Sequence, residues 1–125
     1  MTDNYVIATD ETTRLIASDK VEGTGVYSRA GERLGVIRNF MVDKRSGKVD
    51  YAVLEFGGFL GIGSDYYPLP WDKLDYDTSQ GGYVVDVDKA ILEKAPRYER
   101  DVPPSFDESY GREVHGYWGS PYPMV

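Results

Sequence analysis

One hairpin constrains this fold more than any other feature of the chain. Arg33 to Asp43 alternates through Leu34, Val36, Phe40 and Val42, and its parity switches around Ile37-Arg38-Asn39, which predicts a β-bulge. Val49 to Phe56 sets Val49, Tyr51, Val53 and Glu55 on one face and Ala52, Leu54 and Phe56 on the other. Between them lies the polar turn Lys44-Arg45-Ser46-Gly47-Lys48. Period-two patterning on both sides of a glycine-bearing turn specifies two antiparallel strands, so the chain must build a sheet.

The rest of the sequence supplies further short strands. Gly25-Val26-Tyr27-Ser28 precedes the turn Arg29-Ala30-Gly31-Glu32, where glycine supplies a positive φ. Tyr66 to Trp71 reads as a strand whose prolines, Pro68 and Pro70, confine it to a sheet edge or a bulge. Asp72-Lys73-Leu74 reads as a single turn closed by Asp75-Tyr76-Asp77, and Tyr83 to Val87 as a last strand. Asp88 can cap a short helix through Ala95 with Ile91 and Leu92 facing inward, and Pro96 ends it. Fourteen glycines and seven prolines fit many turns and few long helices. At 125 residues the chain has room for one small barrel and no second full domain. The fold class is therefore mainly β, with one or two short helices and an extended C-terminal tail.

The ordered motifs carry a resemblance. Gly23-Thr24-Gly25-Val26-Tyr27, then Gly31-Glu32-Arg33-Leu34-Gly35-Val36-Ile37, is similar to the opening of a PRC-barrel domain. Met41-Val42-Asp43, Ser46-Gly47-Lys48-Val49, Tyr51-Ala52-Val53-Leu54, Gly57-Gly58-Phe59-Leu60-Gly61-Ile62-Gly63 and Pro68-Leu69-Pro70-Trp71 continue the pattern in order. The resemblance spans roughly residues 15–96 and implies a small PRC-type β-barrel. It divides the chain into an arm at 1–14, a barrel at 15–96 and a tyrosine- and proline-rich tail at 97–125. The family also forms the cytoplasmic part of the photosynthetic reaction-centre H subunit and part of a ribosome-maturation factor. It acts as an enzyme in neither, and it has no catalytic motif to carry over.

Charge narrows the partners. The net charge is −7 and the pI is about 4.6. Nucleic-acid binding needs Lys and Arg to displace counterions, and a polybasic membrane contact needs the same residues, so neither is expected. No cysteine is present, which excludes disulfides and thiolate chemistry. Met1 to Thr13 lacks the apolar core of a signal peptide, and no apolar run approaches the roughly 20 residues of a spanning helix. The expected location is the cytoplasm.

No residue pattern assembles a reaction. His115 is the sole histidine and has no sequence neighbour to form a dyad or a metal site, so it reads as a surface or interface side chain. Asp72, Asp75, Asp77, Asp86 and Asp88 cluster without the spacing of a calcium loop and read as turn caps. The four-glycine loop at 57–63 lacks the lysine of a phosphate loop. It reads as a packed bend, with Phe59, Leu60 and Ile62 as a contact patch wherever they stay exposed.

The tail holds the other candidate contact residues. Ser105 and Glu108 have the spacing of a capping box, which predicts a helix at about 106–116. Phe106, Tyr110, Val114 and Tyr117 then fall on one stripe, with Trp118 beside it. So many aromatic residues are costly to leave in water, so the tail is expected to dock on its own barrel or on a second copy. The expected function is a non-catalytic protein–protein interaction or assembly module, most simply a homodimer, with no cofactor and no metal. The alternatives are a peripheral photosynthetic or electron-transfer subunit and a small-ligand or metal-binding barrel.

Overall fold

The computed structural model describes residues 14–56, 65–87 and 89–122. Ten elements follow in order. A four-residue helix α1 (Ser18–Val21) leads into β1 (Gly25–Ser28), β2 (Arg33–Val42), β3 (Val49–Phe56) and β4 (Asp65–Pro70). A 3-10 turn (Trp71–Lys73) separates β4 from β5 (Leu74–Asp77) and β6 (Gly82–Val85). The helices α2 (Lys89–Glu93) and α3 (Glu108–Trp118) complete the chain.

The six strands form one sheet in the order β4-β3-β2-β1-β6-β5, curled into a half-barrel. All pairings are antiparallel except β1 with β6, which is parallel. The bulge expected near Ile37 is present: the β2–β3 register slips between Ile37 and Asn39. β4, with its two prolines, is an edge strand. Its outer edge carries one further pairing, in which Tyr66 and Tyr98 exchange both backbone hydrogen bonds at 2.9 Å.

Register assigns the faces. Leu54 pairs with Ile37 and Tyr67, and Ala52 with Phe40 and Leu69, so these side chains share the concave face. Val26 pairs with Tyr83 and Ser28 with Val85, and Leu74 and Tyr76 face Val85 and Tyr83. Most of these residues are buried and form the core. On the convex face, Tyr51 pairs with Pro70 and Val53 with Pro68. These four are buried too, so β3 and β4 are covered on both sides.

Three expectations need correction. Asp75-Tyr76-Asp77 closes no turn, because it lies in β5, where Leu74 is buried against the β6 side of the core. Flanking aspartates hid this strand, since they depress β propensity while facing solvent. Ile91 is exposed, and only Leu92 of that pair is buried. Adjacent helical positions differ by about 100°, so a helix of one short turn has a single inward slot. The residue at N-cap of α3 is Asp107, not Ser105: its carboxylate accepts a hydrogen bond from the Tyr110 amide at 2.9 Å. The helix is accordingly displaced two residues toward the C-terminus.

Candidate functional site

The most built surface of the molecule is the convex face of β3 and β4, and the tail fills it. The sequence places Gly111, Val114, His115 and Trp118 at i, i+3, i+4 and i+7, and all four are buried in α3. Val114 is 0% exposed and His115 is 3% exposed. Aromatic rings bind the helix to the sheet: the Tyr51 ring centroid lies 5.7 Å from that of Phe106 and 5.2 Å from the His115 ring. Phe106 also contacts Tyr98 and Tyr110, and Tyr98 meets Tyr66 edge-on. These edge-to-face pairs fit the preferred geometry of aromatic quadrupoles.

Gly111 lets the helix come close. A Cβ there would stand 2.7 Å from the Tyr51 hydroxyl and would collide with the ring of Tyr122. Tyr122 folds back over α3, edge-on to His115 at 5.5 Å and beneath the Arg112 guanidinium at 4.9 Å. The turn that permits this is a left-handed cap at Gly119 (φ 70°), where the Ser120 amide bonds the His115 carbonyl at 2.9 Å. The Ser120 hydroxyl then bonds the Asp72 carboxylate at 2.7 Å, and the Tyr117 hydroxyl donates to the Ile91 carbonyl at 2.5 Å.

Titration follows burial. Burial pushes the Tyr51 phenol up to about 12, with Tyr122 and Asp50 adding to it. Burial also pushes Tyr110 up to about 12, helped by Tyr98, Glu113 and Tyr51. The Asp107 carboxyl is held below its ordinary value, first by the Tyr110 amide and then by the Ser105 hydroxyl. His115 Nδ1 donates to the Gly111 carbonyl at 2.9 Å, since a carbonyl can only accept. The ring is thus an interface side chain inside one molecule rather than a surface group.

The dock is not fully satisfied. Tyr110 Oη and Trp118 Nε1 are buried with no hydrogen-bond partner among the described residues. Each such donor costs about 1–3 kcal/mol of desolvation. Phe106 has φ 55°, the one non-glycine residue with positive φ among those described. A bulky side chain in that region costs about 1–3 kcal/mol and persists only where its surroundings hold it.

Five of the candidate contact residues can now be placed. Val114 and Trp118 lie in the core cluster, and Phe106 and Tyr110 are half-buried against it. Tyr117 is the exposed member, at the flank of the helix. Phe59, Leu60 and Ile62 lie outside the described residues. Sequence reasoning missed Gly111, because glycine is not apolar by type, and left His115 between surface and interface; the spacing of 111, 114, 115 and 118 was the available signal.

A second aromatic group lines the mouth of the concave face. Phe40, Trp71, Tyr83 and Tyr76 follow one another, with centroids 6.4, 5.5 and 5.1 Å apart. Tyr83 is buried, Phe40 and Trp71 are half-buried, and Tyr76 is exposed. Trp71 is thus at the rim. Beside it the β2–β3 hairpin projects beyond β1, with Met41 and Val42 exposed.

The described aspartates of the sequence cluster have protein partners. Asp75 and Asp86 both pair with Arg29, at 3.8 and 3.0 Å. Asp77 accepts from the Ser79 amide and hydroxyl, which holds its carboxyl below the ordinary value. Asp88 lies outside the described residues. Among the described residues no group of three or more His, Asp or Glu could hold a metal. No helix among them is long and apolar enough to cross a membrane.

Comparison with curated proteins finds no match. The family model for the PRC-barrel domain matches residues 14–92, which include α1, all six strands and most of α2. With its half-barrel of six strands in that span, the chain belongs to the PRC-barrel domain family.

Proposed function

We propose that this chain is a non-catalytic protein-binding and assembly module that self-associates as a cytoplasmic homodimer. One observation carries the reading: the convex face of β3 and β4 is shaped to receive an aromatic helical segment. The Tyr51 ring packs against both Phe106 and His115, and Gly111 meets it at close range. Surfaces of this kind, with aromatic anchors in a desolvated setting, carry most of the energy in protein recognition. The chain occupies that surface with its own tail.

Light scattering of the full chain over a range of concentrations tests the reading. A mass twice that of the single chain, growing in with concentration, is the expected result; one chain per particle throughout would overturn it. Removing everything after Pro96 is a poor variant, because it strips cover from Tyr51, Val53, Pro68 and Pro70, all buried in the full chain.

A further inference from the structure

We infer that two copies of this chain exchange their C-terminal helices, each α3 seating on β3 and β4 of the other. The inference rests on the self-association reading and supplies its mechanism. Everything α3 needs belongs to the barrel: Tyr51 of β3, Asp72 after β4, and the Ile91 carbonyl of α2. A second copy offers the same partners in the same geometry. Exchange therefore changes no contact that α3 itself makes with a barrel, and only the connecting segment, Phe106 included, and the concentration decide between the two arrangements.

The connecting segment favours opening. Tyr98 stays with the barrel through its paired hydrogen bonds to Tyr66. Residues 99–107 then reach the helix, and they are exposed except for half-buried Pro104 and Phe106. Fully extended, such a segment reaches roughly 30 Å. Pro103 and Pro104 fix φ near the extended range and bias Val102 toward it as well. To fold back in the same molecule, the segment places Phe106 at φ 55°. A strained short hinge invites exchange, because straightening it removes the strain while the dock is rebuilt elsewhere. The unpartnered Tyr110 hydroxyl and Trp118 indole N–H also lower what undocking costs.

The test uses the full chain, which has no native cysteine. One variant carries Asp72→Cys with Ser120→Cys, and a second carries Ile91→Cys with Tyr117→Cys at exposed positions. Each is treated at dimer-forming concentration with a short bifunctional thiol reagent, then run on a denaturing gel. Exchange predicts that the covalent product is a linked pair of chains. A dimer by light scattering that yields only internally linked single chains overturns exchange and leaves self-association standing. Monomers at every concentration overturn both. Pro103→Gly with Pro104→Gly, which frees the hinge to fold back, is expected to raise the dimer's dissociation midpoint about tenfold in concentration. An unchanged midpoint overturns the role given to the hinge.

Discussion

The convex face of β3 and β4 and the mouth of the concave face both gather aromatic rings, yet among the described residues only the first is closed. Over Tyr51 lies a helix with a glycine at its closest approach, a left-handed cap and a serine anchored on Asp72. Around Trp71 no described residue forms such a lid, and Tyr76 is 43% exposed. Both sets of rings are spaced at about the same intervals. Ring contact alone therefore does not decide burial. The difference is made by small residues and caps, which let a second layer approach.

Substitutions break or sharpen that contrast, and Trp118→Ala should be the most damaging. It empties a buried site in the closed region and should cost about 3–5 kcal/mol, read from the urea midpoint. A loss below 1 kcal/mol would mean that the dock contributes little.

Alkaline titration comes next. Tyr51 and Tyr110 are raised to about 12 in the fold, against about 10 for free tyrosine. The folded state therefore keeps protons that the unfolded state loses. Stability from this source is complete below about pH 10 and falls as pH rises toward 12. Tyrosinate absorbance and circular dichroism recorded together should show these phenols ionising only as the fold is lost.

Two glycines of α3 give a smaller paired effect of opposite sign. Gly111→Ala collides with Tyr51 and Tyr122, and overpacking of this kind should cost about 1–3 kcal/mol. Gly116 has nothing within 4 Å of its Cβ position, so Gly116→Ala should stabilise by about 0.5–1 kcal/mol. Equal shifts in thermal midpoint would contradict the close approach. At the open mouth, Tyr76→Ala should cost about 0.5–1.5 kcal/mol through its contact with Tyr83. Val42→Thr, at an exposed hairpin position, should stay within about 0.5 kcal/mol of zero.

How much of this was legible in the sequence depends on the range of the interaction. The hairpin, the bulge near Ile37 and the edge position of the proline strand are local signals, and each appears in the structure. The parallel pairing of β1 with β6 has no local signal, since it joins residues near 26 to residues near 84. The tail helix was visible from the Ser105–Glu108 spacing and its aromatics. Its register was not, because Asp107 and Ser105 are both good caps and the choice rests on where the Tyr51 ring receives Phe106. At the seam, Gly111 was hidden and the choice of interface over surface for His115 stayed open, for a different reason. Their burial comes from fit and a backbone hydrogen bond rather than from hydrophobicity.

The parallel β1–β6 pairing has a consequence for assembly of the fold. It divides the sheet into two meanders, β1 to β4 and β5 to β6, each able to form from neighbouring sequence. The join between them requires closure of a long loop and is the slow step by topology. The tail leaves from the second meander and lies on β3 and β4 of the first, so it ties the two together a second time, away from their join. Amides of Val26–Ser28 and Tyr83–Val85 should then exchange with solvent in one cooperative step with those of α3, apart from those of the β2–β3 hairpin.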